Sequence, residues 1–278
     1  MKKILVPTDF SPGSKSGVQF AIHWASQQNI ELIFVHVHYI LRATSWSDAH
    51  FEKYAMQETK LYNTKIEKFI ADMYTEMKVK PGKYTTVIIE GINADISIDD
   101  YCTKNPGFDY ICISTRGAGR IKKIFGTNTG NLITKSAVPV LAVPKNYKVA
   151  AITSVMYATD LRNYTEELKK VVAFAQPLKT EVEVVHFTWP DEITFDEKTI
   201  EAAFKREFKY GLKLHFEKND GTRSIVENLE KQIKLKQPSV VIMFTNQQRT
   251  FFQKLFLPSK AENLSFDAKV PLLVFNKN

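Results

Sequence analysis

One stretch of the chain carries the residue types that bind phosphate, namely a glycine-bearing loop rich in basic side chains. The loop runs from Ser114 to Thr127 and contains Gly117 and Gly126. It also holds four basic residues, Arg116, Arg120, Lys122 and Lys123. Glycines let backbone N–H groups approach an anion closely, and a helix that begins near Asn128 adds partial positive charge. The loop is therefore a candidate phosphate site, although solvated surface charge is the simpler explanation for any single basic residue.

The residues before this loop belong to strands that must position it. The apolar run Tyr110–Ile113 predicts a buried parallel strand that leads directly into the loop. Earlier in the chain, Lys3–Asp9 is a short apolar strand that ends in Pro7, Thr8 and Asp9. Doubly wound sheets bind ligands at the carboxyl ends of their strands. A ligand contact is therefore favoured for Asp9 over the alternative that it only caps the following helix.

The segment after Asp9 has the pattern of an amphipathic helix. Ser11 as N-cap and Pro12 at the first helical position predict where the helix begins. Its apolar face is formed by Val18, Ala21, Ile22 and Ala25. The apolar strand Ile30–Val37 follows, and the three elements together predict a parallel βαβ unit.

The second half of the chain repeats the first. The Thr-Asp pair at 8–9 returns at 159–160, again at the end of a short apolar strand. His36 returns as His186 at the end of the next strand, and Val138-Pro139 returns near the end of the chain. Self-similarity of this kind indicates a tandem duplication of one α/β domain.

The duplication predicts the fold class and the domain organisation. We expect two tandem five-stranded parallel-sheet domains with helices on both faces, at residues 1–146 and 147–278. The last strands of the two repeats, Val138–Val143 and Val270–Phe275, are too apolar for solvent and are predicted to pack against each other. The alternative is two independent domains on the linker Pro144–Lys148.

Composition narrows the classes of function. The chain has 278 residues, a formal net charge of +8 and a pI near 9.2, so affinity for anions is expected. No nucleic-acid module accompanies that charge, which favours nucleotide phosphates over specific nucleic-acid binding. No apolar run approaches the roughly 20 residues of a membrane span, and no signal-peptide core is apparent. Two cysteines, Cys102 and Cys112, are too few for a disulfide framework or a zinc site, so a reduced, cytoplasmic protein without a metal is expected.

These features together resemble the universal stress protein family over nearly the whole chain. The resemblance rests on Pro7-Thr8-Asp9, on His36-Val37, and on the glycine loop followed by Val138-Pro139. It implies a five-stranded parallel sheet with helices on both faces, of the Rossmann-like, adenine nucleotide alpha hydrolase-like type. It also implies that the last strand of each repeat lies at an edge of its sheet, where the two edges can pair. Many members of the family bind ATP through a loop of pattern Gly-x2-Gly-x9-Gly-Ser/Thr.

The resemblance also implies a set of ligand contacts. Asp9 and the backbone of Val37 would contact adenine and ribose, and Gly117, Gly126 and Thr127 would contact phosphates. The full set of candidate binding residues is Pro7, Thr8, Asp9, Val37, Ser114, Arg116, Gly117, Gly126, Thr127 and Asn128. The implied cofactor is ATP, with AMP or ADP as alternatives and Mg²⁺ as a companion ion. The implied partners are the two repeats paired as a pseudo-dimer and a second copy in a homodimer.

The chain departs from the family pattern in this loop. Ser114 stands where the first glycine is expected; its backbone N–H remains there, and its hydroxyl is expected to be able to donate. The interval between Gly117 and Gly126 is one residue short. In the second repeat the corresponding positions are Thr245, Gln248 and Pro258. Proline has no backbone donor and glutamine adds a side chain, so a nucleotide is expected in the first repeat alone.

Three functions remain open at this point. A stress-response regulatory protein that binds an adenine nucleotide is preferred, and the alternatives are an interaction scaffold without nucleotide and a very slow ATPase. No nucleophile with a partner base and no metal-ligand spacing is apparent, so catalysis is not expected. His36 and His186 occupy equivalent positions, which favours a structural role at the strand end over a catalytic one.

Overall fold

The structure, a computed structural model, describes residues 1–115, 127–161, 163–188, 196–218, 222, 225–246 and 269–277. The strands in the first half are β1 Lys2–Pro7, β2 Ile30–His38, β3 Tyr84–Glu90, β4 Tyr110–Ser114 and β5 Val140–Val143. Those in the second half are β6 Ser154–Thr159, β7 Glu181–Thr188, β8 Leu212–Lys218, β9 Val240–Asn246 and β10 Leu272–Lys277. The helices are α1 Lys15–Gln27, α2 Asp48–Met77, α3 Ala94–Lys104, α4 Thr127–Lys135, α5 Tyr164–Ala175, α6 Glu197–Phe208 and α7 Ile225–Lys236, with a short 3₁₀ helix at Gln176–Leu178.

The ten strands form one continuous sheet in the order β3-β2-β1-β4-β5-β10-β9-β6-β7-β8. Within each half all neighbouring strands are parallel. The order β3-β2-β1-β4-β5 from one end of the sheet matches the order β8-β7-β6-β9-β10 from the other end, as expected for a duplicated unit. The predicted fold class, two five-stranded parallel α/β units with helices on both faces, is confirmed.

The two halves meet through their last strands. β5 pairs with β10 in the antiparallel direction, with Leu141 opposite Leu273 and Val140 opposite Val274. All four of these side chains are buried. Each strand is apolar on both faces, so either one left at an edge would expose both apolar surface and unpaired backbone groups. The predicted pairing of the final strands is confirmed.

Side chains from both halves also share one core beneath the helices α1 and α5. Trp24 of α1 is fully buried, and its ring centroid lies 5.2 Å from that of Phe174 in α5 and 5.3 Å from that of Tyr110 in β4. The Lys2 ammonium group lies 5.5 Å from the Tyr110 ring centroid and 5.8 Å from that of Phe174, and it donates to the carbonyl oxygen of Ala173 at 3.2 Å. Because aromatic rings from both repeats interlock, the halves are packed like the interior of one domain.

The start of α1 differs from the prediction. Ser11 and Pro12 were expected to begin the helix, but α1 begins at Lys15 with Ser14 as its N-cap. The residues between form a turn in which the Ser14 N–H donates to the Ser11 carbonyl at 3.0 Å. The side chain of Asp9 bonds to Ser11 and holds this turn, so the helix starts later than its sequence signals indicate.

Candidate functional site

A crevice opens at the carboxyl edge of the first half, where β1 and β4 lie side by side. The chain leaves β1 toward one side of the sheet and reaches β4 on the other, so this is the topological switch point where such sheets bind ligands. The cavity has a volume of about 120 Å³. Its lining residues are Pro7, Thr8, Asp9, Ser11, Gly13, Ser14, Val35, Val37, Ala94, Ile98, Ile113, Ser114, Asn128 and Thr129.

Most of the described candidate residues come together in this crevice. Pro7, Thr8, Asp9, Val37, Ser114 and Asn128 all line it. Thr127 is the first residue of α4, directly beside Asn128. The remaining candidates, Arg116, Gly117 and Gly126, lie outside the described residues.

Asp9 is exposed at the mouth of the crevice and also bonds locally. Its Oδ1 accepts from the Ser11 N–H at 3.0 Å and from the Ser11 hydroxyl at 2.6 Å. This is an Asx-type turn rather than an N-cap of α1. The carboxylate therefore shapes the loop between β1 and α1 while it lines the crevice, and its contact with a ligand stays a prediction.

The turn that carries Asp9 has an uncommon backbone. Phe10 has a φ of 63°, a left-handed conformation that non-glycine residues rarely adopt. Thr8 holds the turn, because its Oγ1 accepts from the Phe10 N–H at 3.1 Å and lies 2.9 Å from the Ser14 hydroxyl. Backbone strain of this kind is kept where surrounding contacts define the conformation, often at ligand sites.

His36 secures the same turn from the neighbouring strand. Its Nδ1–H donates to the carbonyl oxygen of Thr8 at 2.9 Å. Burial lowers the pKa of His36, and the nearby His38 and Lys65 lower it further, whereas the Thr8 bond and Asp9 act in the opposite direction. His36 thus has a positioning role at the strand end, in agreement with the structural role predicted for it.

Ser114 lines the crevice, but its hydroxyl is used elsewhere. Ser114 Oγ donates to the Ser14 carbonyl at 2.9 Å, accepts from the Gly17 N–H at 2.7 Å and lies 3.0 Å from the Ser16 hydroxyl. The hydroxyl therefore donates as expected, but within the chain, where it ties β4 to the first turn of α1.

Gly17 makes this contact possible and was missed by the sequence reasoning. A Cβ on Gly17 would lie 2.8 Å from both the backbone nitrogen and the hydroxyl of Ser114. Helix and strand can therefore approach this closely only with glycine at that position. The signal available in the sequence was a glycine inside an amphipathic helix, which usually marks close packing.

The N-terminal part of α4 forms the far wall of the crevice. Thr129 is buried, and its hydroxyl donates to the Ser114 carbonyl at 3.3 Å. Two residues later, the Asn131 side-chain amide donates to Asp95 Oδ2 of α3 at 2.7 Å. These bonds set the position of the helix start, so the first N–H groups of α4 are held beside the crevice.

The second half repeats the turn that follows β1, here after β6. Thr159 Oγ1 accepts from the Leu161 N–H at 2.9 Å, Leu161 has a φ of 58°, and His186 Nδ1 donates to the Thr159 carbonyl at 3.0 Å. These are the contacts of Thr8, Phe10 and His36 repeated.

Strand register identifies which residue replaces Ser114 in that half. Leu5 pairs with Ile111, and its equivalent Met156 pairs with Val241. The counterpart of Ser114, three residues further along, is therefore Phe244. The sequence comparison had placed it at Thr245, an error of one position that only strand pairing reveals.

Large or charged side chains occupy this part of the second half. Phe244 is buried and stacks on Phe275 with a centroid distance of 4.8 Å. The repeated helix face aligns Gly17 with Glu167, which is buried and accepts a short hydrogen bond from the Tyr157 hydroxyl. Gln248 and Pro258, on which the prediction for this half also rested, lie outside the described residues.

The described residues offer little chemistry beyond this crevice. Among them, no cluster of three histidine, cysteine, aspartate or glutamate side chains could hold a metal ion. Cys102 and Cys112 are buried free thiols, and burial raises the pKa of Cys102 to about 12. Every helix in the described ranges is too short or too polar to cross a membrane.

The sheet order and the switch-point crevice define a doubly wound α/β protein of the kind that binds small ligands at the carboxyl ends of its strands. The chain belongs to the universal stress protein family, because the profile described as Universal stress protein family matches residues 1–144, more than half of its length.

Solved structures agree with this assignment at the level of the fold. A universal stress protein from Archaeoglobus fulgidus DSM 4304 has a TM-score of 0.73 at 16% identity, covering 99% of this chain and 98% of its own. A putative universal stress protein from Pseudomonas aeruginosa UCBPP-PA14 has a TM-score of 0.60 at 14% identity, with 99% and 93% covered. No curated protein sequence matches the chain significantly.

Proposed function

We propose that the protein is a stress-response regulatory protein that binds one adenine nucleotide in its first repeat, residues 1–146. ATP is the preferred ligand, with AMP and ADP as alternatives. The observation that carries the proposal is the crevice at the switch point, which gathers Asp9, Val37 and the start of α4 around one cavity. Family membership supports the same function.

The described walls of the crevice suit the nucleoside part of the ligand. Asp9 is the only charged residue among the lining residues in the described part of the chain, and it is an acceptor. A carboxylate at the mouth can accept hydrogen bonds from ribose hydroxyls, while Val37, Val35 and Ile113 offer apolar surface to a base.

The phosphates would lie away from Asp9, because a carboxylate repels them. The N-terminus of α4 is the favourable direction, since its first N–H groups and its dipole attract an anion. The loop with Arg116, Gly117 and Gly126 enters α4 and is proposed to complete the phosphate site. A bound Mg²⁺ would be held largely by the phosphates and by water.

Residues 147–278 are proposed to form a second domain without a nucleotide. Phe244 and Glu167 occupy the places of Ser114 and Gly17, so side-chain atoms fill the space beneath the repeated turn. Asp160 is retained there, but a carboxylate without the adjoining space is not a binding site.

Calorimetric titration with ATP and MgCl₂ tests this proposal. We expect a stoichiometry of one nucleotide per chain. Asp9→Asn keeps the acceptor that bonds Ser11 and removes the charge that binds ribose, and it should weaken binding by roughly 10-fold to 100-fold. Asp160→Asn is the matched control in the second repeat and should change nothing.

The titration also separates the alternatives. A stoichiometry of two, or equal losses from the two substitutions, would contradict the single-site proposal. Absence of binding heat across several temperatures would favour the interaction scaffold. Release of inorganic phosphate above that of an Asp9→Asn sample would favour the slow ATPase.

A further inference from the structure

Helix α6 and the strand β8 are joined by a contact that occurs twice, between a carboxylate and a backbone N–H group. Glu197 Oε1 accepts from the Phe216 N–H at 2.8 Å, and Glu201 Oε1 accepts from the Leu214 N–H at 2.6 Å. β8 is the last strand at its end of the sheet, so N–H groups that point away from β7 have no neighbouring strand to bond. The two glutamates therefore satisfy donors that an edge strand otherwise leaves to solvent.

The two contacts follow a regular step along both elements. From one contact to the next the helix advances four residues, about 6 Å, and the strand goes back two residues, about 6.6 Å. Because these lengths nearly match, the next step brings Lys205 of α6 to Leu212 of β8. Residues alternate in direction along a strand, so the Leu212 N–H points outward like those of Leu214 and Phe216. A lysine thus stands where a third carboxylate would continue the series.

The Leu212 N–H lacks the acceptor that the next two outward N–H groups have. The Lys205 ammonium group cannot accept a hydrogen bond, and no other described residue accepts one from this N–H. Leu212 is only 5% exposed, so its backbone has little contact with bulk water. A buried donor without an acceptor costs free energy, and an acceptor supplied by a ligand would remove that cost.

A groove with a volume of about 500 Å³ opens at this place, between α6 and the first residues of β7 and β8. Both Lys205 and Leu212 line it, in agreement with the step between the two elements. The groove is separate from the crevice of the first half, because β8 lies six positions from β4 in the sheet order. Its other lining residues are Lys179, Thr180, Glu181, Val182, Lys198, Glu201, Ala202, Tyr210, Gly211 and Lys213.

Positive charge exceeds negative charge in this groove. Its lining holds four lysines and two glutamates. Lys213 pairs with Glu181 at 3.2 Å, and Glu201 already accepts from the Leu214 N–H. The lining lysines that form no ion pair with a described residue are Lys179, Lys198 and Lys205. A cleft with an excess of one sign of charge concentrates ions of the opposite sign, so an anion is the expected ligand.

We propose that this groove binds the terminal phosphate or pyrophosphate group of a small molecule. An oxygen of that group accepts from the Leu212 N–H, in the place of the missing third carboxylate. Three lysines without a partner carboxylate match a group with more than one negative charge, and ammonium groups bind phosphate well as point charges. The site takes one such group and not a polymer, because Glu201 and Glu197 hold the next places along the row and repel further phosphates.

Amide NMR spectra test the site, with inorganic pyrophosphate as the probe at constant ionic strength. The protein is labelled in its leucine nitrogen atoms, and the Leu212 and Leu214 signals are each assigned through their loss in an isoleucine variant. The Leu212 signal should move as pyrophosphate is added. Leu214 is the internal control, since its N–H is already bonded to Glu201. No movement of Leu212 up to about 10 mM pyrophosphate, or equal movement of both signals, would overturn the proposal.

Lys205→Glu gives a second test, because it completes the series of carboxylates and should mimic the bound group. It should move the Leu212 signal without any ligand, and it should weaken pyrophosphate binding at least about tenfold. Lys53→Glu is the matched control, with the same change of charge at an exposed lysine of α2, and it should bind like the parent. A Lys205→Glu protein that binds pyrophosphate as tightly as the parent would contradict the assigned site.

Two further measurements keep the outcome decisive. Thermal melts verify that each variant is folded, and Lys205→Gln, which removes only the charge, replaces Lys205→Glu if that protein does not fold. It should still weaken binding several-fold, and unchanged binding would count against the proposal. A short single-stranded DNA is titrated in parallel. If it moves the Leu212 signal at a lower phosphate concentration than pyrophosphate does, the groove serves nucleic acid and the small-molecule proposal is wrong.

Discussion

The Thr-Asp turns of the two halves have the same backbone and different interiors. In each, a threonine hydroxyl accepts from a left-handed residue two positions later, and a histidine of the next strand donates to the threonine carbonyl. Beneath the first turn lie Gly17 and Ser114, in direct contact. Beneath the second lie Glu167 and Phe244, both buried.

This comparison separates the contacts that both halves share from those that differ between them. The turn, its left-handed residue and its histidine occur in both halves, so they belong to the architecture. The small residues Gly17 and Ser114 belong to the first half, where they bring α1 against β4. A duplicated domain can thus keep its turn while the residues beneath that turn change.

The largest expected effect comes from adding a single methyl group beneath the first turn. Gly17→Ala places a Cβ 2.8 Å from the backbone nitrogen of Ser114, and backbone cannot move aside as a flexible side chain can. We expect the free energy of unfolding to fall by about 2 kcal/mol, although alanine is the better helix former by about 1 kcal/mol. Urea denaturation measures it.

The matched control for this substitution is Gly82→Ala. A Cβ at Gly82 would meet nothing within 4 Å, so a change within about 0.5 kcal/mol is expected. Equal effects of the two substitutions would show that helix and strand are not in close contact at Gly17.

A smaller effect is expected beneath the second turn. Tyr157→Phe removes the hydroxyl that donates to the buried Glu167 carboxylate, which then loses a bond that offsets its desolvation. We expect a loss of about 1–2 kcal/mol in the free energy of unfolding. Tyr39→Phe, at a side chain that is 48% exposed, should leave stability unchanged. A Tyr157→Phe protein as stable as the parent would mean that Glu167 does not depend on this bond.

The smallest effect is a pH dependence at the first turn. Burial lowers the pKa of His36 below its ordinary value of 6.5, so the unfolded chain takes up a proton more readily than the folded one. The stability associated with neutral His36 is present above pH 6.5 and is lost as the pH falls below it. His36→Gln cannot titrate, and its unfolding free energy should decline less between neutral and acidic pH. NMR titration of the parent should give His36 a pKa below 6.5; a value above it would contradict the prediction.

The sequence by itself determined the class of fold and the location of the crevice. Apolar runs and helical periodicity are properties of neighbouring residues, so the strands, the repeat and the carboxyl-end position of Asp9 could be deduced without coordinates. The pairing of the final strands could be deduced as well, because two apolar edges in one chain have few other ways to leave water.

The tertiary structure alone decided how these elements touch. Gly17 and Ser114 are 97 residues apart, and their contact depends on how closely α1 crosses β4. The same holds for the equivalence of Phe244 with Ser114, which needed strand register. It also holds for Glu197 and Glu201, whose carboxylates accept from outward N–H groups of β8. Local sequence patterns specify elements, whereas the contacts between distant elements depend on the distance and angle at which those elements pack.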